Sequence, residues 1–443
     1  MAVLSWWHVA FILACISPAT TEVFAPSMRY ADVDDSTSDE VSTALFVGLA
    51  AAVHIVHGYV ADRCGVVVLA LGGLALYVTS SLAIGFGVGS EFGRDVFFVS
   101  MRVLQGIGAS ACTVASLACV HTYLDAVVDV PTMYTARAYV LVIAPASSEF
   151  VCSLADDWHA AFVLMGAGGA LSFVIVALGS RSSLVACSDR TVARRVSLWL
   201  SRKLHTFEWR RLRSTQAECE PEGQARPPSE ARTHSDVTES QRPELGSGTA
   251  EAAATTRLVS YTTWVVVDAL GFGAMFVWIA YAPLLEDVEY FGYMYSLTFV
   301  GSVVGSAIAQ SWRTTRHVAS FVAATSIQLC VAALSYVLHL VQPERLLSFN
   351  DTDDVRSLAS AFTWTTFVLM TLSNGARAVA ASHATACAMQ AARTKFSAGR
   401  ASSVFHSIRM GVTCCMLVAA LGVSPWLVIV HALAAALLVM YVV

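Results

Sequence analysis

Thr20–Met28 reads T-T-E-V-F-A-P-S-M, Gly58–Gly65 reads G-Y-V-A-D-R-C-G, and Arg102–Ser110 reads R-V-L-Q-G-I-G-A-S. Each string lies inside, or at the end of, a long apolar run. Glu22 and Arg102 fall within such runs, and a charge in hydrocarbon costs several kcal/mol (roughly 2.5–3.5 on insertion scales), so it persists where a pathway, a coupling site or an ion pair needs it. Apolar runs of about 20 residues, the length that spans a bilayer as helix, recur at 4–27, 42–61, 66–88, 95–119, 133–154, 159–180, 258–283, 292–311, 317–341, 361–386, 401–422 and 424–443. The chain is 56% hydrophobic and 13% charged, with a mean hydropathy of +0.62; a soluble domain carries about 25% charged residues. Period-2 alternation is absent, which argues against a lipid-exposed barrel. The expectation is an all-α integral membrane protein with twelve transmembrane helices.

The spans divide into two blocks, 1–180 and 258–443, with six in each, and a polar insert at 181–257 between them. Two six-helix halves fit a transporter whose repeats rock about a site at the membrane midplane. In the insert, residues 190–213 interleave basic residues with Val196, Leu198, Trp199, Leu200, Leu204, Phe207 and Trp209. That pattern suits a helix lying on an anionic leaflet. Residues 214–256 are rich in Ser, Glu, Pro and Ala without periodicity, and are expected to be disordered. Arg63, Arg313, Arg316, Arg393, Lys395, Arg400 and the insert's basic residues follow even-numbered spans, while Arg29, Arg94, Arg345 and Arg356 lie in the alternate loops. By the positive-inside rule both termini are cytosolic. Asn350-Asp351-Thr352, a glycosylation sequon, then falls in an outer loop. Residues 3–16 look like a signal-peptide core without a basic flank, and read as part of an uncleaved first span.

Gly58, Asp62, Arg63 and Gly65 match G-x-x-x-D-R-x-G, and Arg102–Ala109 matches R-x-x-Q-G-x-G-A. These strings resemble signature motifs of the major facilitator superfamily, and Thr20–Met28 resembles the opening span of its drug:proton antiporter branch, the Bcr/CflA type. The resemblance implies the major facilitator fold and gives several residues roles. Glu22, standing where the branch has Asp, would face the central cavity and exchange protons. Arg102 would place a permanent positive charge near it, and Gln105 would hydrogen-bond across the cavity. Gly58, Asp62, Arg63 and Gly65 would form a gating loop that latches the halves, with Asp62 accepting from a helix N-terminus and Arg63 pairing across the loop. Val66 and Val67 replace the usual trailing basic pair, which implies a weaker latch.

The fifth span departs from the branch pattern A-P-x-x-G-P-x-x-G-G. Ala144–Cys152 reads A-P-A-S-S-E-F-V-C, so Ser148-Glu149 stands where Gly-Pro belongs. Glu149 reads either as a second titrating group or as a partner holding helices together. Asp268, just before the seventh-span string Ala269–Glu286, has no counterpart in the branch. Arg377 and Arg409 are expected to pair with Asp268 or with Glu149, and the sequence leaves both open. Asn374, in a string resembling P-N-A, and Trp278, a platform for flat cations, complete the expected substrate cavity with Gln105, Glu149, Asp268 and Arg377.

No Walker loop, H-E-x-x-H, G-x-S-x-G or C-x-x-C occurs, so neither ATP-driven work nor soluble catalysis is expected. No cofactor, metal or nucleic acid is implied. The partners expected are a small-molecule substrate, protons and lipid, with anionic lipid at 190–213. The expected function is proton-coupled export of small amphipathic or cationic compounds by alternating access. Uptake or facilitated diffusion of a metabolite, and a receptor or scaffold that does not transport, are the alternatives.

Overall fold

Every regular element of the computed structural model is helical among the residues it describes, which are 10–15, 36–87, 94–123, 126–155, 159–180, 247–285, 296–311, 317–340, 353–393 and 395–442. In chain order these are α1 (10–15), α2 (Ser36–Cys64), α3 (Val66–Gly85), α4 (Arg94–Tyr123), α5 (Ala126–Ala155), α6 (His159–Gly179), α7 (Ser247–Leu285), α8 (Val300–Ser311), α9 (His317–Leu340), α10 (Asp353–Ala392), α11 (Ala398–Gly422) and α12 (Pro425–Val442). Helices are what lipid requires, since each satisfies its backbone hydrogen bonds internally. Seven of them carry stretches long and apolar enough to cross a membrane. Leu171, Leu178 and Leu438 are more than 60% exposed; their apolar side chains suit contact with lipid.

The helix breaks have local causes. Gly65 sits at φ +92° between α2 and α3, a backbone region that other residues rarely adopt. Gly87, at φ +60°, donates to the Ile84 carbonyl at 3.0 Å just beyond α3. Pro425 occupies the first position of α12, where its missing N–H costs nothing.

In the first half (α1–α6), α3 packs on α4 and α6. In the second (α7–α12), α10 packs on α8 and α9, and α9 on α12. Between the halves α2 lies along α11, α5 lies along α8 and α10, and α4 touches α11. Small residues bring these helices close. A Cβ on Gly301 or Gly305 would collide with the backbone of Thr371 or Gly375 on α10, and one on Gly58 would collide with Ser403 and the Gly399 carbonyl on α11. Two apolar clusters fill the interior. One is built around Tyr261, Phe321, Met389 and Phe405, the other around Phe276, Ile279, Phe299, Met410 and Trp426.

Helix extents differ from the apolar runs in one instructive place. Residues 247–256, expected to be disordered, form the first turns of α7. Their sequence, S-G-T-A-E-A-A-A-T-T, is rich in strong helix formers, which outweigh its lack of periodicity. Residues 184–256 group as a unit of their own. The expected membrane-surface helix at 190–213, the rest of the 214–256 segment up to 246, the sequon at Asn350 and Glu22 lie outside the described residues.

The α8–α10 contact makes a direct test of packing. Gly305→Leu should push α8 off the α10 backbone and lower the melting temperature of the detergent-purified protein, at a cost of about 1–3 kcal/mol or more. Gly168→Leu, where a Cβ meets nothing within 4 Å, should melt with the wild type in the same size-exclusion thermal scan.

Candidate functional site

The centre of the molecule holds a carboxylate that water does not reach. Asp268 of α7 is 0% exposed, and Arg377 of α10 and Arg409 of α11 are 4% and 3% exposed. Arg377 donates through Nη2 to Asp268 Oδ1 at 2.6 Å and to the Asp268 carbonyl at 3.0 Å. Arg409 donates to Oδ2 through Nε at 2.8 Å and through Nη2 at 2.5 Å. One carboxylate thus serves two guanidiniums (all three from the second half). Arg409 Nη2 also reaches the first half, donating to the Tyr134 hydroxyl of α5 at 3.0 Å. The Tyr134 hydroxyl lies 3.0 Å from Thr385 Oγ1 of α10; having accepted from Arg409, it is free to donate there. The rings of Phe272 and Phe405 lie 4.8 and 4.7 Å from the Arg409 guanidinium carbon and hold it between their faces.

A cavity of about 40 Å³ opens beside this cluster. Tyr134, Arg137 and Leu141 line it from the first half; Phe272, Phe299, Ser302, Ser306, Arg377 and Arg409 line it from the second. A smaller cavity of about 20 Å³ shares Tyr134, Arg137 and Arg409 and extends to Thr113, Ser116 and His406. The His406 ring stacks on His54 of α2, with centroids 5.4 Å apart.

The second constellation lies at the end of the bundle where α2 finishes and α11 begins. Asp62 Oδ1 accepts from the Gly399 N–H at 2.9 Å, and Oδ2 accepts from Ser397 Oγ at 2.5 Å. The carboxylate of one half therefore caps a helix of the other, meeting an orphan N–H and the positive end of its dipole. Gln310 donates to Thr132 Oγ1 at 3.1 Å, and Arg393 Nε donates to the His121 carbonyl at 3.5 Å, tying the same end across the halves. Arg63 is found elsewhere than across the loop. Its guanidinium lies 5.3 Å from the centroid of Tyr59, one turn back on α2, where the ring face is within reach. Gly58 and Gly65 serve the same end by close approach and by the left-handed turn described above.

Several residues expected in the cavity lie away from it. Gln105 donates to Ser81 Oγ of α3 at 2.8 Å and accepts from Arg102 at 2.5 Å, so its amide is used within the first half. Arg102 adds a ring contact to Phe162 of α6 at 5.4 Å, and both side chains sit at the α3–α4–α6 junction. Trp278 is buried edge-on against Trp426 of α12, with centroids 5.1 Å apart, and packs rather than presenting a face. Asn374 donates to Thr298 Oγ1 at 3.2 Å, and its carbonyl accepts from Ser302, which joins α10 to the α8 segment. The Glu149 side chain and Glu22 lie outside the described residues. Tyr134, Thr385, Ser302 and Ser306 carried no signal in the sequence, whereas Arg137 stands out there as an arginine inside an apolar run, a candidate for a pathway, a coupling site or an ion pair. No group of three or more His, Cys, Asp or Glu able to hold a metal occurs among the described residues.

Residues 4–413 match the Major Facilitator Superfamily. The chain belongs to that superfamily. It is therefore a multi-pass membrane protein of a transporter family with the major facilitator fold. The partially occluded, inward-open xylose transporter XylE of E. coli superposes with a TM-score of 0.63, covering 100% of this chain and 99% of that one at 12% identity, a likeness of fold. A chloramphenicol resistance protein of Pseudomonas aeruginosa is 26% identical over 146 residues, 32% of this chain. The matched stretch spans about a third of that relative, 34% of its length.

The charge cluster predicts a specific rescue. Asp268→Asn leaves two buried guanidiniums unbalanced and should cost about 3–5 kcal/mol, read as loss of the monodisperse peak on size exclusion. Adding Arg409→Met to that variant removes one of the two unpaired charges, restores the cluster's wild-type net charge and should recover at least half of the lost folded protein.

Proposed function

We propose that this major facilitator protein is a secondary active exporter of small amphipathic compounds, driven by protons and working by alternating access. The single observation behind this reading is the distribution of polar ties between the halves. Asp62 joins α2 to α11 at one end, and Arg409 joins α11 to Tyr134 of α5 at the centre. Opening toward the Asp62 end requires breaking its two hydrogen bonds to α11. The central tie is a candidate for exchange when substrate enters. Residues 1–180 and 258–443 would be the rocking halves, with both termini and the 181–257 insert in the cytosol.

Export is supported by the likeness to the chloramphenicol resistance protein, and proton coupling by the resemblance of Thr20–Met28 to the antiporter branch. In this reading Asp268 is not the proton carrier, because both its oxygens are engaged by buried guanidiniums. Glu22 takes that role, with Arg102 adjusting the charge around it. Uptake of a metabolite is the second reading, favoured by the loss of the Gly-Pro step at Ser148-Glu149.

Efflux of a fluorescent amphipathic compound from expressing cells tests the proposal. Wild-type efflux should stop on adding a protonophore, and Glu22→Gln should reduce it to the level of empty vector. Asp62→Asn should keep the protein folded and slow efflux about tenfold. Wild-type cells that behave as empty vector would remove export and move metabolite uptake ahead of it.

A further inference from the structure

Resting on that transporter reading, we propose that the central cavity recognises the carboxylate of a small organic acid, so that the substrate carries a negative charge where the antiporter resemblance implies a cation. Three observations carry this. First, among the described residues the cluster holds two guanidiniums against one carboxylate, and all three groups are at least 96% buried. Water can solvate a surplus buried charge but cannot neutralise it, whereas a bound anion can. Second, two buried polar atoms of the cavity wall have no partner. Arg377 spends Nη2 on Asp268 and leaves Nη1 without a hydrogen bond, and Ser306 Oγ is likewise unpaired. Buried polar groups are normally satisfied, so a pair left open in one cavity marks a place for an acceptor. Third, Gly271 makes room for this guanidinium, since a Cβ there would come within 2.9 Å of Nη1.

The geometry suits a carboxylate. Its two oxygens can accept from Arg377 Nη1 and from the Ser306 hydroxyl, leaving Asp268 on the other side of the same arginine. Leu141, Phe272, Met275 and Phe299 make much of the remaining wall apolar, which favours an acid with an apolar body over an inorganic anion or a sugar. The cavity of about 40 Å³ has room for about two or three waters, and the body of the acid would occupy space gained as the halves part. The guanidinium of Arg137 lines the same cavity from α5. An anion between it and Arg377 would contact both halves at once.

Purified full-length protein in lipid nanodiscs tests the proposal with acetate, hexanoate and benzoate as probes. Benzamide and benzylammonium are the neutral and cationic controls, and empty nanodiscs the blank. At least one acid should bind saturably by calorimetry and raise the melting temperature, while benzamide and benzylammonium do neither. Ser306→Ala, which changes one hydroxyl, should weaken that binding at least tenfold with the unliganded melting temperature unchanged, and Arg377→Lys should abolish it. Absence of saturable binding for all three acids overturns the proposal, as does binding that survives both substitutions. Amphipathic efflux in the cell assay alongside absent acid binding leaves the exporter reading standing and the anion site wrong. Acid binding without efflux or flux of any compound supports the site and overturns the exporter reading.

Discussion

Two guanidiniums share one carboxylate at the middle of the bundle, and the arrangement of the surrounding helices follows from that unequal pairing. Asp268, Arg377 and Arg409 come from α7, α10 and α11, which must converge to bring a second-half acid and two arginines within 3 Å. Breaking one partner out of such a cluster strands a charge in a medium that cannot solvate it. The excess positive charge draws in whatever oxygen lies near. Tyr134 supplies one from the first half, and Phe272 and Phe405 supply ring faces. The same surplus that makes the site expensive to bury gives it an appetite for an anion.

The latch end works on a different principle. Asp62 finds no arginine there; it satisfies the start of a helix belonging to the other half. A hydrogen bond to a helix N-terminus at the polar edge of a bundle is modest in strength. The centre is tied by buried charge within one half, and the end by capping across halves.

The fold was legible because lipid imposes a strong rule on sequence: long apolar runs, and charges where function holds them. Asp62 was legible for the same reason, as a charged turn at a fixed spacing between two spans. Asp268, Arg377 and Arg409 announced themselves as intramembrane charges, yet their pairing did not, since residues 109 and 141 positions apart leave no local trace of contact. The partners of Gln105 and Trp278 left no trace in the sequence, because a polar or aromatic residue on a buried helix has several faces to choose from. Helix rotation gave Gln105 to Ser81 and Trp278 to Trp426. Tyr134 and Ser306 carried no signal, as hydroxyls are cheap enough in helices to appear anywhere. The extra turns at the start of α7 were hidden by the habit of reading Ala- and Thr-rich polar sequence as linker.

The central cluster also bears on how the chain enters the membrane. Arg377 lies in the apolar run at 361–386, within α10. Synthesis runs from the N-terminus, so Tyr134 and Asp268 are already made when Arg377 emerges from the ribosome, and Arg409 follows 32 residues later. An arginine arriving at the translocon after its counter-ion has a partner within the bilayer, and α10 need not cross as a bare charge. The order of acid before bases along the chain thus places the counter-ion ahead of both arginines that need it.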